Sequence, residues 1–389
     1  MNSGRIVFAQ LMDFLPKAYF KRCVDRYDGN YRTRSFSCFD QFLCMAFAQL
    51  TFRESLRDIE TCLRAMRSKL YHAGFRGKVS RSTIADANER RDWRIYADFA
   101  GIMIAQARQL YANDPFGVVL QQSVYAFDST TIDLCLALFP WAKFRRRKGA
   151  VKLHTLLDLR GGIPCFVHIS HGKTHDTAGL DELPIEPGAF YVMDRGYVDF
   201  GRLFTFTQKM AFFVVRSKNN LAYTRRASHP IERIDGLRSD QTIALSGPKT
   251  SQLYPVPLRR ITLRDTESGT RFVFLTNHFD LDAQVVADLY RCRWQIELFF
   301  KWIKQHLRIK AFYGTSENAV KTQVWIAVTI YVLVAIVRRE LGVARTLAEI
   351  LQILSITIFE KTPILQVISE GYDKDSDPDL HNSLPLFDF

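Results

Sequence analysis

The sequence lacks paired cysteines. Its seven cysteines are odd in number and scattered, and no two have the C-x2-C spacing of a zinc ribbon. This usage indicates reduced thiols that fill the core of a protein in a cytoplasm. We therefore expect a cytoplasmic protein without a structural zinc ribbon.

Long hydrophobic runs and a secretion signal are also missing. The N-terminus has no charged-then-apolar pattern, and the longest apolar run, 324–337, has 14 residues. A bilayer span needs roughly 20 residues, so we expect this run to form a buried helix. Membrane partners are not expected.

Acidic residues are outnumbered, since 40 Asp and Glu stand against 53 Lys and Arg and leave a net charge of +13 at pH 7. With 389 residues, 47% of them hydrophobic, the chain is long enough for two or three domains with a large core. Excess positive charge on a globular body favours a polyanion, nucleic acid first and an acidic membrane surface second. The exception is the acidic segment 370–389, which we expect to stay off DNA.

Two periodicities divide the chain. Apolar residues recur at helical spacing up to about residue 110, and a turn cluster follows at 113–117. Short β-branched or aromatic runs come next, among them a pair of strands joined at Gly161-Gly162 as a hairpin. Helical patterns resume after Asp282, a plausible N-cap. The predicted units are an all-helical N-terminal domain 1–112, a mixed α/β domain 118–340 with a β-rich insertion 208–276, and C-terminal helices with the acidic tail at 341–389.

One helix of the N-terminal region opens in the stretch SRSTIADANERR. Thr83 and Asp86 have the spacing of a capping box, and Arg81, Arg90 and Arg91 surround it. Two interpretations stay open here. The helix enters a DNA groove by its N-terminus, or it is a capped helix with a solvated basic face.

A second helix, in YRCRWQIELFFKWIKQH, places four polar residues on one face. At about 100° per residue, Tyr290, Arg293, Glu297 and Lys304 fall within a narrow arc. A surface face with ordinary ion pairs is one interpretation, and a face turned into a groove is the other. The neighbouring apolar stripe would anchor the helix to a core: Ile296, Phe300, Ile303 and Leu307.

Two predicted strands end in an aspartate, Asp128 after VYAF and Asp194 after FYVM. Each alone is more often a turn former or cap. At the carboxyl edge of a sheet, however, they could meet, and a glutamate such as Glu297 on a crossing helix would complete three carboxylates. Three carboxylates suit Mg²⁺, and a pair of such ions catalyses phosphodiester hydrolysis or transfer.

Three motifs resemble the DDE-class transposases of bacterial insertion sequences, and more narrowly their YREK cut-and-paste group. They are DST at 128–130, DRGY at 194–197 and Y-x2-R-x3-E-x6-K at 290–304. The similarity spans roughly residues 120–340. It implies an RNase H-like mixed sheet flanked by helices, with a β-rich insertion before the last catalytic helix.

The resemblance also implies a reaction. Asp128, Asp194 and Glu297 would be the catalytic residues and hold two Mg²⁺ ions, with Mn²⁺ as a substitute. Water would nick the transposon end, and the freed 3′-hydroxyl would form a hairpin that reopens and joins target DNA. The implied partners are double-stranded DNA, both terminal inverted repeats and target, and a second copy in a synaptic homodimer.

DNA contacts follow from the same resemblance. Tyr290, Arg293 and Lys304 would hold phosphates and the flipped base of the hairpin, which agrees with the chemistry of these side chains. FVVRSK resembles the segment near the transposon end, so Arg216 and Lys218 become candidates. Residues 200–290 lack the tryptophan on which some relatives stack that base. The N-terminal region resembles a domain that binds terminal repeats.

Rival interpretations remain. A domesticated DNA-binding protein or repressor would keep the fold without catalysis, and a recombinase with Tyr290 as nucleophile would form a covalent link to DNA. The histidines of 168–176 have no Cys or HExxH companion, so a structural or DNA-facing role is favoured over zinc ligation. The basic run 143–152 fits either a phosphate contact or a solvated loop.

Overall fold

The computed structural model describes residues 4–145, 148–232, 236–266, 268–306 and 312–369. Up to residue 112 the regular structure within this part is helical, as predicted. The acidic segment 370–389 lies outside the described residues. The helices of the N-terminal region are α1 (Val7–Leu11), α2 (Lys17–Arg26), α3 (Cys38–Leu50), α4 (Leu56–Ala65), α5 (Arg67–Leu70), α6 (Arg81–Arg90) and α7 (Arg94–Tyr111).

The start of α6 differs from the predicted capping box. Ser80 is the N-cap, and its hydroxyl accepts a hydrogen bond from the Thr83 amide at 3.3 Å. Thr83 is therefore the third helical residue and does not cap the helix with Asp86. A serine three positions earlier already satisfies the amide that would otherwise be left without a partner at this helix end.

A mixed sheet forms the centre of the molecule. In the described part of the chain it has ten strands in the order β2-β3-β1-β5-β6-β10-β9-β8-β7, with β4 paired to β3. The pairs β1–β5 and β5–β6 are parallel, and the other pairs are antiparallel. The strands are β1 (Val124–Leu134), β2 (Lys143–Arg145), β3 (Lys148–Asp158), β4 (Ile163–His171), β5 (Phe190–Met193), β6 (Phe212–Arg216), β7 (Tyr223–His229), β8 (Leu237–Leu245), β9 (Leu258–Arg264) and β10 (Arg271–Thr276).

Strand β1 is longer than the sequence predicted. The expected strand ended at Asp128, but β1 continues to Leu134, and Asp128 lies within it. The apparent break at 129–131 is absent because β3 pairs with every residue from Tyr125 to Leu134. Threonine also favours extended backbone, so the Ser-Thr-Thr run does not end the strand.

The hairpin at Gly161-Gly162 is confirmed. The connection has four residues, 159–162, because Asp158 pairs with Ile163. Its last two residues are these glycines, and both have positive φ, 75° and 63°, a conformation that glycine adopts without strain. The strands of 208–276 extend the same sheet, since β6 lies beside β5 and β10 beside β6. The division into domains at 112, 118 and 340 stays a prediction, because N-terminal helices and later helices share one hydrophobic core.

The helix α12 (Glu317–Glu340) runs through that core. It contains the apolar run 324–337, whose residues are buried apart from partly exposed Trp325, so the expected buried helix is confirmed. Among the described residues it is also the one helix long and apolar enough to cross a bilayer by length and composition, a test that core helices pass too; 89% of its most apolar stretch is buried here. The remaining helices are α8 (Phe200–Gln208), α9 (Pro248–Leu253), α10 (Ala283–Cys292), α11 (Trp294–His306), α12 (Glu317–Glu340), α13 (Leu347–Thr357) and α14 (Ile364–Ser369).

Candidate active site

Two aspartates meet on neighbouring parallel strands. Phe127 of β1 is in register with Met193 of β5, so Asp128 and Asp194 occupy the next position of each chain. The backbone at Asp194 is still extended. Neighbouring strands lie about 4.8 Å apart, and residues in parallel register point to the same face. The two carboxylates therefore emerge side by side, as the sequence predicted, although only Asp194 follows the end of its strand.

Asp128 is largely buried, with 22% of its side chain exposed. Its Oδ1 accepts hydrogen bonds from the Ser129 amide at 2.7 Å and from the Tyr197 hydroxyl at 3.2 Å. Burial raises the pKa of the Asp128 carboxyl to about 6, even though Arg293 and both donors favour the ionised form. The protein thus keeps a carboxylate where its negative charge is poorly solvated, which is a common property of functional acids.

Arg293 joins Asp128 to Glu297. Its Nη1 lies 3.4 Å from Asp128 Oδ2 and its Nη2 lies 2.6 Å from Glu297 Oε1. Only 15% of the arginine side chain is exposed. Burial alone would lower the pKa of this guanidinium, but Tyr290, Glu297 and Asp128 raise it above its usual range. A fixed positive charge therefore stands between two of the three predicted acidic residues.

The helix that carries this face is not continuous. The sequence predicted one helix through 290–306, but α10 ends at Cys292 and α11 begins at Trp294. At the junction the Arg293 amide bonds the Tyr290 carbonyl at 3.2 Å, and the Ile296 amide bonds the Arg293 carbonyl at 3.1 Å. These i to i+3 bonds tighten the turn, a feature often found at functional positions.

Tyr290 holds the second aspartate. Its hydroxyl donates to Asp194 Oδ1 at 3.2 Å, and its ring packs 4.8 Å from that of Phe274. Burial raises the pKa of the Tyr290 hydroxyl to about 12. A buried phenol that is committed to a carboxylate is a poor nucleophile, which disfavours the tyrosine recombinase.

The remaining polar residue of the Y-x2-R-x3-E-x6-K stretch and the apolar stripe beside it lie on α11. Lys304 lies half-buried on α11. The apolar stripe anchors that helix as predicted, because Ile296, Phe300 and Ile303 are buried in the core. Leu307, the last member of the predicted stripe, lies outside the described residues.

The polar groups around Asp128 were not predicted from the sequence patterns. Tyr197 is buried and comes from DRGY, so the motif that supplies Asp194 also supplies a donor to Asp128. On the opposite face of β1, the Ser129 hydroxyl donates to Asp176 Oδ1 at 2.6 Å, and Lys152 Nζ pairs with the same oxygen at 2.8 Å. The signal for Tyr197 was its position in DRGY, whereas nothing local pointed to Lys152.

The predicted contacts Arg216 and Lys218 lie at the end of β6. Arg216 stacks on the Phe272 ring, 4.7 Å from its centroid, and also influences Tyr290 electrostatically. Lys218 is exposed, and its Nζ donates to the Val198 carbonyl at 3.0 Å. Both side chains therefore already have protein contacts near the site.

The three predicted arginines of the N-terminal region have different surroundings. Arg81 is exposed at the start of α6, and Arg90 pairs with Asp86 at 2.8 Å. Arg91 is turned inward, where it donates to the Ser37 carbonyl at 2.7 Å and to the Phe36 carbonyl. Arg91 therefore braces the N-terminal fold.

Among the described residues, no three His, Cys, Asp or Glu side chains are placed as they stand to hold a metal ion. This applies both to the histidines of 168–176 and to the three acidic residues. The chemistry of the acidic residues nevertheless fits Mg²⁺, which takes carboxylate oxygens. Arg293 at present supplies the positive charge that such a cation would bring.

A mixed sheet with adjacent aspartates on parallel strands, approached by a glutamate from a later helix, defines the class of RNase H-like nucleic-acid enzymes. The chain belongs to the DDE transposases of bacterial insertion sequences, DNA-cutting and strand-transfer enzymes that act with divalent metal ions. Residues 120–333 match the family model described as the Transposase DDE domain. Residues 3–76 match a second model, described as a domain of unknown function (DUF4372).

Relatives agree with this assignment. The protein of Sinorhizobium fredii named as transposase y4zB is 32% identical over 288 residues, which are 73% of this chain and 79% of that protein. The protein of Geobacillus stearothermophilus named as the transposase of insertion sequence element IS5377 is 31% identical over 53% of this chain and 54% of its own length. The protein of Synechocystis sp. named for element IS4SA is 23% identical over 90% of this chain and 98% of its own.

Among solved structures, a piggyBac transposase synaptic complex with hairpin DNA is similar with a TM-score of 0.47 and 11% identity. The match covers 92% of this chain and 80% of that one.

Proposed function

We propose that the protein is a cut-and-paste transposase of the YREK group. It cuts the terminal inverted repeats of its own insertion sequence, passes through a DNA hairpin at each end and joins the ends to target DNA. The observation that carries the proposal is the meeting of two parallel-strand aspartates with Tyr290 of α10 and with Arg293 at the junction of α10 and α11.

The first bond to break is the one between the 3′-oxygen and phosphorus at the transposon end. Water supplies the attacking oxygen, and the cut leaves a 3′-hydroxyl. That hydroxyl then attacks the opposite strand, which closes the hairpin and releases flanking DNA. Water reopens the hairpin, and the regenerated 3′-hydroxyl attacks target DNA.

Asp128, Asp194 and Glu297 would hold two Mg²⁺ ions, or Mn²⁺ in their place. Such ions, when bound, activate the attacking oxygen and stabilise the leaving one. For this the Arg293 guanidinium releases Asp128 and Glu297 and turns to a DNA phosphate, which its forked donors fit. Asp128 and Glu297 then lack a neighbouring positive charge, and this favours the binding of a metal ion.

Tyr290 and Lys304 would hold phosphates beside the cut, Tyr290 through its hydroxyl and Lys304 as a point charge. Arg216 and Lys218 at the end of β6 would extend this contact along the transposon end, and Arg81 and Arg90 would contact the terminal repeat. We place the reaction in the cytoplasm, on a homodimer that brings two ends together.

The test is incubation of the protein with DNA that carries the element's own terminal repeats and Mg²⁺, with products resolved on a denaturing gel. We expect nicks followed by hairpinned ends. Asp194→Asn should lower the cleavage rate by at least about 100-fold because it removes a predicted metal ligand. Asp133→Asn is the matched control, since Asp133 is an exposed aspartate on the same sheet.

Other products would contradict parts of the proposal. Nicks without hairpins would exclude the hairpin route. A protein that binds these repeats but cuts neither with Mg²⁺ nor with Mn²⁺ would be the non-catalytic repressor. A covalent protein–DNA product that disappears in Tyr290→Phe would establish the tyrosine recombinase.

A further inference from the structure

Two surface loops of the N-terminal region, residues 30–36 and 71–81, lie against each other; we call them the paired loops. The buried carboxylate of Asp40 holds them together. Its Oδ2 accepts from the amide of Ser37, the N-cap of α3, at 2.9 Å and so completes a capping box. Its Oδ1 accepts from the Arg76 amide at 2.8 Å and the Gly77 amide at 3.3 Å. One carboxylate thus fixes the relative position of both loops.

The two backbones are in direct contact. A Cβ at Gly77 would lie 2.0 Å from the Ser35 carbonyl oxygen, so only glycine fits there. The Arg91 guanidinium holds the end of the first loop by donating hydrogen bonds to the Phe36 and Ser37 carbonyls. The paired loops therefore form a rigid surface, and the side chains they carry are presented together.

The charge on this surface has one sign. The first loop carries Arg32 and Arg34, the second carries Arg76, Lys78 and Arg81, and neither contains Asp or Glu. All five side chains are exposed. Within the described part of the chain, Arg34, Lys78 and Arg81 have no ion pair, so their charge is available to a partner.

Two exposed tyrosines lie among these cations. Tyr31 is 71% exposed and Tyr71 is 67% exposed. The Arg32 guanidinium lies 5.1 Å from the Tyr31 ring centroid, and that of Arg76 lies 4.3 Å from the Tyr71 ring centroid. Aromatic rings beside arginine forks suit a sugar–phosphate backbone, to which arginine, lysine and tyrosine hydroxyls all donate hydrogen bonds.

We propose that the paired loops bind the sugar–phosphate backbone of duplex DNA, at a place separate from the cut. The proposal rests on the proposed transposase function, which supplies DNA as the partner, and it assigns a role to the region that matches a domain of unknown function. Phosphate contacts position a duplex without reading its sequence. The paired loops would therefore orient the end that the acidic site cuts.

The test is a titration of fluorescently labelled duplex DNA carrying the terminal repeat with the full-length protein, without divalent metal, at several salt concentrations. The variant is Arg34→Ala with Lys78→Ala, one exposed cation from each loop. Each lost phosphate contact reduces the slope of log affinity against log salt by about 0.9. We expect weaker binding and a slope smaller by about 1.8 in total.

A matched control loses the same charge elsewhere. Lys209 and Lys249, exposed at the end of α8 and in α9, become alanine together, and the slope should change less than in the loop variant. Arg34→Lys alone should keep the parental slope because it keeps the charge. Thermal unfolding checks that each variant folds.

Several results would overturn the proposal: a parent that binds no duplex, a loop variant whose slope equals that of the parent or of the control, or tighter binding to a polyglutamate peptide than to DNA. The cleavage assay separates this outcome from the proposed function. Suppose that the parent protein binds DNA, that the loop substitutions reduce the salt dependence of binding, and that no DNA is cut. This result would support the paired-loop proposal and contradict the proposed catalytic function.

Discussion

The acidic site and the paired loops use cations in opposite ways. In the site, Lys152 is buried and Arg293 is largely buried; Lys152 pairs with one carboxylate and Arg293 with two. In the loops, Arg34 and Lys78 are exposed, and the described residues provide them with no ion pair. Burying a charge without a partner costs several kcal/mol, so a buried cation must be committed to the protein. Exposed cations such as Arg34 and Lys78 are therefore the ones that can contact DNA phosphates.

Net charge alone therefore does not locate a DNA-binding surface. The net charge of +13 includes arginines that form hydrogen bonds within the fold as well as exposed arginines that can contact a polyanion. Arg91 and Arg81 illustrate the distinction within eleven positions of the chain, since Arg91 braces the first loop and Arg81 faces solvent.

The largest expected effect comes from removing Arg293, the largely buried cation between two acidic residues. Arg293→Ala leaves Asp128 and Glu297 without their shared partner, and breaking a buried pair in this way costs about 3 kcal/mol or more. We expect a lower free energy of unfolding by denaturant in metal-free buffer, and partial recovery when Mg²⁺ is added. Arg291→Ala is the control, because Arg291 is an exposed arginine two positions earlier in the chain. Equal losses in both variants would contradict the comparison.

Buried and exposed histidines extend the comparison. Burial, with smaller effects of His168 and Lys152, lowers the pKa of His154 from 6.5 to about 4. Between these values the unfolded chain binds a proton that the folded protein does not, so stability falls as pH drops from 6.5 to 4, by up to about 3 kcal/mol. Urea unfolding across this range should show a shallower pH dependence for His154→Gln than for the parent. In His72→Gln, which changes an exposed histidine of the paired loops, the parental dependence should persist.

A third experiment separates the bracing arginine from the exposed one. Arg91→Ala removes charged hydrogen bonds to the Phe36 and Ser37 carbonyls and should cost about 2 kcal/mol of unfolding free energy. Arg81→Ala should leave stability within about 0.5 kcal/mol and weaken DNA binding instead. Denaturant unfolding and duplex titration, carried out on both variants, measure the two effects. If Arg81→Ala lowered stability and Arg91→Ala weakened only DNA binding, exposure would not distinguish the two roles.

The smallest expected effect concerns the hydroxyl of Tyr197. Tyr197→Phe removes one hydrogen bond to Asp128 and should cost about 1 kcal/mol or less of stability. If the hydroxyl positions Asp128, the Mg²⁺ concentration that gives half-maximal cleavage should rise, and Mn²⁺ binding measured by electron paramagnetic resonance should weaken. Tyr191→Phe, at another buried tyrosine, is the control. Unchanged metal affinity in Tyr197→Phe would show that the hydroxyl has only a structural role.

Much of the fold was accessible from sequence because it depends on local patterns. The hairpin at Gly161-Gly162 and the cap at Asp282 have direct chemical signatures, and both are present. The predicted end of β1 was wrong because the Ser-Thr-Thr run is typical of a strand end, and only the pairing with β3 shows that the strand continues. The cap of α6 was wrong because Ser80 competes with Thr83 for the same role.

The site was predictable in part. Spacing in the signature selected Tyr290, Arg293 and Glu297, and their common face survives the tightened turn at Arg293. The direction in which Arg293 points was not predictable, because its partner Asp128 is 165 positions away. The same is true of Lys152, whose role depends on the pairing of β3 with β1 and on the loop that carries Asp176.

Local sequence was sufficient for most of the helices and strands and for the chemical groups available to the site, because these properties depend mainly on residues and their near neighbours. Only the tertiary structure places Asp128 beside Asp194 and Arg293 between Asp128 and Glu297. It also turns Arg91 inward and leaves Arg81 exposed. Those relations join residues far apart in the chain, and only strand pairing and core packing set the distances and burial on which charge interactions depend.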